Sequence, residues 1–168
     1  MTTGPVQLVI MADTHLPRAK RLPDELWRAV DAADVVVHAG DWCDLDTLEA
    51  LEARAARLIG VYGNNDGADL RDRLPEVARE TVGGVRLAVV HETGGKQGRA
   101  ARCAAAYPDA DVLVFGHSHI PWDTTTATGL RLLNPGSPTQ RRAQPHCTYL
   151  TARASGGVLD RVVLHRLP

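Results

Sequence analysis

Asp34-Val-Val-Val-His-Ala-Gly-Asp41 decides the architecture of this chain. Its run of valines between polar residues reads as a short strand that is apolar on both faces, the pattern of a parallel sheet covered on both sides. Gly40-Asp41 stops the run, so a carboxylate lands at the carboxyl end of the strand. The flanks repeat the arrangement. Upstream, Val6 to Met11 is a β-rich apolar run that ends at Asp13, and Pro23-Asp24 then opens a helix through Leu26, Trp27 and Val30. Downstream, Leu45, Leu48 and Leu51 mark a second helix packed by one face, and Leu58 to Tyr62 is a third strand closed by Gly63-Asn64-Asn65-Asp66. The first half therefore reads β-α-β-α-β with polar residues at the strand tips.

The second half changes character. Val77 to Val82, Gly83-Gly84 and Val85 to Val90 form a hairpin signal, with His91 directly after its second strand. Gln97 to Tyr107 is Ala-rich and helical, and Asp111 to Phe115 is another buried strand leading into Gly116-His117-Ser118-His119. Two further hairpins follow, one turning at Thr128-Gly129 and one at Ser155-Gly156-Gly157, between Cys147–Ala154 and Val158–His165. A βα half followed by a strand-rich half predicts an α/β fold with two mixed sheets face to face and helices outside, a four-layer αββα sandwich. No period, low-complexity run or linker divides the sequence, so residues 1–168 are expected to form a single domain.

Composition narrows the functional classes. No apolar stretch approaches the roughly 20 residues of a membrane span; the longest, Val6 to Ala12, is interrupted by Gln7. Met1-Thr-Thr-Gly-Pro5 lacks the positive region of a secretory signal, and the three cysteines, Cys43, Cys103 and Cys147, fall at unrelated spacings. Both observations point to a reducing, cytoplasmic setting. A net charge of −1 removes the global electrostatic argument for a nucleic-acid or membrane partner, and 4% aromatic residues leave no stacking platform for single strands.

Five polar patches carry the chemistry: Asp13-Thr14-His15, Gly40-Asp41, Gly63-Asn64-Asn65-Asp66, His91 and Gly116-His117-Ser118-His119. From Asp13 to Asp41, Asn64, His91 and His117 the intervals are 28, 23, 27 and 26 residues. A βα or ββ unit runs to about 30 residues, so each patch can sit at the end of its own strand and all can converge on one sheet edge. Each motif alone could simply cap a strand. Their joint occurrence in order, with carboxylate, imidazole and amide donors, suits two ions of Mn, Fe, Co, Ni or Zn better than a structural tetrathiolate zinc.

The order D-x-H, GD, GN-x-D, H, GH-x-H resembles the calcineurin-like metallophosphoesterases. The short length and Asn134-Pro135-Gly136-Ser137 after the last motif resemble their small bacterial and archaeal phosphodiesterase branch, which also contains the retromer scaffold subunit. The resemblance implies an αββα sandwich with a dinuclear centre at one sheet edge. Carried over by position, it assigns Asp13, His15, Asp41 and His119 to one divalent ion, and Asp41, Asn64, His91 and His117 to a second, with Asp41 bridging. It implies hydrolysis of phosphate diesters by a hydroxide bridging two ions, Mn²⁺ foremost, with Asp41, Asn64 and His117 closest to the chemistry and weak phosphomonoesterase activity alongside. The implied partner is a small-molecule phosphodiester or nucleotide, and family members are often homodimers.

Several positions depart from the family's commonest pattern. Ala12 stands where serine is frequent, Glu92 follows His91 where glycine is usual, and Asn65 replaces a histidine thought to protonate the leaving group in many relatives. Asp66 reads as a carboxylate that orients its turn, and His38 as a core histidine behind Gly40-Asp41. A ligand role for Cys43 is disfavoured because one soft thiolate sits oddly among hard ligands. Arg18, Lys20, Arg21, Arg141 and Arg142 belong to loops expected to border the metal edge, either to grip a second phosphate or as solvated charges. His146 and His165 have no evident partners. The rival reading is a non-catalytic scaffold on the same fold, and the full set of metal-binding side chains argues against it.

Overall fold

A computed structural model describes residues 4–15 and 21–168. Arg18 and Lys20 lie outside the described residues. The chain runs β1 (Val6–Met11), α1 (Asp24–Ala32), β2 (Val35–His38), α2 (Leu45–Arg54), β3 (Leu58–Gly60), α3 (Ala68–Arg73) and β4 (Val77–Val82). It continues through β5 (Val85–Val90), α4 (Arg99–Ala106), β6 (Val112–Val114), β7 (Trp122–Thr125), β8 (Arg131–Asn134), β9 (Cys147–Ser155) and β10 (Val158–Leu167).

Two five-stranded mixed sheets result, ordered β10-β9-β1-β2-β3 and β4-β5-β6-β8-β7. Each contains a parallel triplet, β1-β2-β3 along one side of the first sheet and β5-β6-β8 in the middle of the second. Antiparallel strands complete both sheets. The sheets are not simply the two halves of the sequence, because the last hairpin crosses back and β9 pairs with β1.

Side-chain alternation along each strand assigns the layers. Leu8, Ile10, Val35 and Val37 face inward and meet Leu87, Val89, Val112, Val114 and Leu133 of the other sheet in one buried cluster. Their neighbours Val9, Met11 and Val36 point outward, against Leu26 and Val30 of α1, Leu48 and Leu51 of α2, and Leu70 of α3. On the far side Ala88, Leu113 and Leu132 pack against Cys103 of α4. This is the αββα order. Ile10 is fully buried between the sheets, and cutting it to alanine would cost about 2–5 kcal/mol.

Local chemistry fixes the helix starts. Asp44 caps α2 by accepting a hydrogen bond from the Thr47 amide at 2.7 Å, and Pro23 precedes α1, where its fixed φ suits a helix entrance. The helix expected over Gln97–Tyr107 begins later, at Arg99, because Gly98 takes a left-handed φ of 73° and belongs to the loop. Helix α3 has no counterpart in the sequence reading; its six residues contain a single core side chain, Leu70, too few for a period.

Candidate metal centre

The parallel triplets deliver their carboxyl ends to one edge, where loops from both sheets meet. Asp13 follows β1, Asp41 follows β2, and Asn64 lies in the turn after β3. His91 follows β5, while His117 and His119 follow β6. All seven expected side chains come together. His15 Nε2 lies 3.2 Å from Asp41 Oδ2 and 3.9 Å from Asp13 Oδ1. His119 Nε2 is 3.6 Å from Asp13 Oδ1, and His91 Nε2 is 3.4 Å from Asp41 Oδ2. Asn64 Oδ1 sits between His91 Nε2 at 3.0 Å and His117 Nδ1 at 3.1 Å.

The floor of this cluster is buried and its mouth is open. Asp13, Asp41, His91 and His119 are all less than 5% exposed, whereas Asn64 and His117 reach solvent. Among the described residues, three buried atoms on the floor make no hydrogen bond: Asp13 Oδ1, His15 Nε2 and His119 Nε2. Buried polar atoms are nearly always satisfied, so three orphans around one point mark a place for a cation. Asp13, His15 and His119 form one such group, with donor atoms all within 4.8 Å of one another, and Asp13, Asp41 and His91 form another. The donor set, oxygen and imidazole nitrogen, fits a divalent transition metal.

Surrounding groups aim the donors. His91 Nδ1 donates to the Ala39 carbonyl at 2.7 Å and His119 Nδ1 to the Gln140 carbonyl at 2.6 Å, which leaves each Nε2 lone pair turned inward. Cys43 Sγ sits 3.2 Å from His15 Nδ1, behind the ring rather than in the cluster. Asp66 accepts from the Asp41 and Gly63 amides through one oxygen and from the Cys43 amide through the other, so it orients the turn as expected. His38 is fully buried, stacks on Trp42, and bonds Thr14 and the Gly40 amide; it supports two loops without entering the cluster.

Charge within the cluster is tightly coupled. Asp13 first, and then Asp41, push His15 up to about 11. Burial alone would raise Asp41, but His15, His91 and the Asn65 amide outweigh it and hold the carboxyl well below its usual range. Burial likewise opposes a proton on His91, yet Asp41 and Asp13 prevail and raise it, while burial lowers His119. The carboxylates thus favour positive charge on His15 and His91, the charge a bound metal would supply.

The backbone here is strained. Asp13, Asp41, Cys43, His117 and His119 all have φ between 56° and 74°, a region non-glycine residues rarely occupy. Gly63 leaves no room for a side chain, since a Cβ there would run into the Asp41 carboxylate and amide. Asn134 and Ser137 brace the loops from the second sheet: Asn134 Nδ2 donates to the Gly116 carbonyl at 3.0 Å, and Ser137 Oγ to the Asp13 carbonyl at 2.7 Å.

The calcineurin-like phosphoesterase superfamily domain matches residues 6–157. The chain belongs to this superfamily. A relative from Methanothermobacter thermautotrophicus, named "probable metallophosphoesterase", is 33% identical over 160 residues, which cover 92% of this chain and 90% of the relative. A protein of Methanocaldococcus jannaschii named as a phosphodiesterase is 27% identical over 165 residues, covering 92% and 93%. Vps29 of Entamoeba histolytica, solved in complex with Zn²⁺, superposes with a TM-score of 0.76 at 20% identity over 96% of this chain and 98% of that one, a likeness of fold. Metallophosphoesterases use divalent metals, and the calcineurin-like fold of this chain gathers groups able to hold them.

One contact at this edge had no signal in the sequence. Arg71 of α3 stacks on Tyr62 and donates to the Asp66 carbonyl at 2.7 Å, which ties α3 to the Asn64 turn. Arg142 Nη1 reaches the His117 carbonyl at 3.4 Å, so one of the arginines expected at the edge does border it. His165 lies away from the site, stacked on Tyr149 and bonded to Thr151. No helix among the described residues is long and apolar enough to cross a membrane.

Proposed function

We propose that this phosphoesterase is a metal-dependent phosphodiesterase. Asp13, His15, Asp41 and His119 would hold one divalent transition-metal ion, and Asp41, Asn64, His91 and His117 a second, Mn²⁺ foremost, with Fe, Co, Ni or Zn as alternatives. The observation that carries this reading is the convergence of Asp13 Oδ1, His15 Nε2 and His119 Nε2, unpartnered among the described residues, beside a second ring of donors. The phosphodiesterase name of the Methanocaldococcus jannaschii relative supports the substrate class.

When bound, such a pair supplies Lewis acidity to the phosphoryl oxygens and makes water a nucleophile near neutral pH. The chain's own residues do the rest. Ala39 and Gln140 carbonyls lock two imidazoles with their lone pairs inward. Asn65 steadies Asp41 from the turn, and its amide offers no ionisable proton to a departing alkoxide. A pocket of about 210 Å³ lined by Tyr62, Asn64, Arg71, Glu76, His91 and Glu92 opens beside the second position and has room for part of a small ester.

A second reading is a partner-binding scaffold on the same fold, the fold on which Chaetomium thermophilum Vps29 was solved in complex with a cyclic peptide. One experiment separates them. The chain is stripped, reconstituted with each divalent metal, analysed for metal content and assayed on cyclic nucleotides, short oligonucleotides and bis(p-nitrophenyl) phosphate. Two metal equivalents and diester hydrolysis are expected. Asp41→Asn should lose more than the roughly 10–100-fold typical of a residue that only supports a ligand. A stoichiometry near one sinks the dinuclear assignment, and a fully loaded but inactive chain favours the scaffold.

A further inference from the structure

The two proposed metal positions are unequally charged. Two carboxylates, Asp13 and Asp41, face the first, whereas Asp41 is the single anionic group assigned to the second, beside neutral Asn64, His91 and His117. Glu92 stands at that poorer position. Its Oε1 lies 3.4 Å from His117 Nδ1, close to the 3.1 Å that separates the same nitrogen from Asn64 Oδ1. Donor atoms of His91, Glu92 and His117 fall within 4.8 Å of one another.

Among the described residues the one ion-pair contact of Glu92 is His117, with both side chains about half exposed, and no lysine or arginine comes within 4.0 Å. It also lines the 210 Å³ pocket, on the side from which a substrate would enter. The carboxylate is set against the His117 ring, which also meets Asn64 and His91, both candidate ligands.

The geometry points to Glu92 as a further ligand of the second metal position, a carboxylate arm supplied from the open side. This rests on the dinuclear reading above. Two consequences follow from its charge. It raises the hold on the second ion, since affinity for a divalent cation climbs with the number of anionic ligands. It also puts a negative charge at the mouth, which opposes a dianionic phosphomonoester more than a monoanionic diester.

The test reads metal binding first, without turnover. Apoprotein, Glu92→Gln and Glu92→Ala are titrated with Mn²⁺ alone, and free Mn²⁺ is followed by electron paramagnetic resonance. Both variants should bind the first equivalent as the parent does and the second about 10-fold or more weakly. An unchanged second equivalent overturns the proposal, as does equal weakening of both, which would mark general loosening of the loop. Because no substrate is involved, an inactive parent with Glu92-dependent binding would uphold this role while sinking the phosphodiesterase reading. In loaded, active enzyme, Glu92→Gln should raise the monoester-to-diester ratio of kcat/KM by about 2–5-fold, the scale of a half-exposed charge interaction. An unchanged or falling ratio overturns the charge filter.

Discussion

Asn65 grips Asp41 twice: its backbone N–H donates to Oδ1 at 2.9 Å and its side-chain amide to Oδ2 at 2.8 Å. The carboxylate proposed to serve both ions is therefore held at both oxygens by one residue. Asn65→Ala keeps the backbone bond and loses the other. Metal affinity should fall about 10–100-fold with the fold intact, as for other residues that orient a ligand. Titration calorimetry with Mn²⁺ checks this, and parental affinity in the variant would contradict it.

The same amide cannot act as an acid, so the leaving group must depart poorly protonated. A positioned side-chain acid contributes about 10²–10⁴-fold, and its absence weighs most on leaving groups of high pKa. Rates should fall steeply along a series of phosphodiesters, with bis(p-nitrophenyl) phosphate hydrolysed far faster than alkyl diesters. A shallow Brønsted slope would mean that another side chain already supplies the proton.

Metal uptake should release protons. Asp13 and then Asp41 push His15 up to about 11, so in the ion-free chain this ring is a cation at neutral pH. Its folded value lies above the ordinary 6.5, and the stability it contributes is complete below that pH and lost as pH climbs toward 11. A bound ion takes the proton's place and removes that dependence. Calorimetry at pH 7.5 in two buffers of different ionisation enthalpy counts the protons; a count of zero would contradict the arrangement.

His38 should act in the opposite direction. Burial, first, and the neighbouring His91 lower it well below 6.5 against the pull of Asp41. Below pH 6.5 the unfolded chain takes up a proton that the folded chain refuses, so stability falls there by up to about 1.4 kcal/mol per pH unit. Urea unfolding of parent and His38→Gln at pH 5, 6 and 7 isolates the effect as a difference between the two slopes. The variant should also keep most of its activity, because His38 touches loops and not the donors. Identical slopes would refute the assignment.

Much of the architecture is legible in the sequence itself. The valines before Gly40-Asp41 and the alternation in Val6 to Met11 carry the layers, because a strand buried on both faces has few other readings. The five polar patches are legible by type and spacing, and the family resemblance picks out seven of their side chains as candidate donors, which the structure brings to one edge. Other features left no such trace. Helix α3 offers only Leu70 to the core, so Ala68–Arg73 shows no apolar period. The return of β9 to β1 is a pairing choice between distant segments that no local pattern encodes. The grip of Asn65 on Asp41 spans 24 residues and depends on how the Gly63 turn closes.

The left-handed backbones of Asp13, Asp41, Cys43, His117 and His119 have a consequence for what this chain can become. Each such conformation costs of order 1–3 kcal/mol, and glycine would relieve it. The residues that make the centre useful are thus a standing load on the sandwich that carries them. Glycine at any one of them would trade that strain against the contacts the side chain makes, as Asp41 does with Asn65 and Asp13 with the His117 amide.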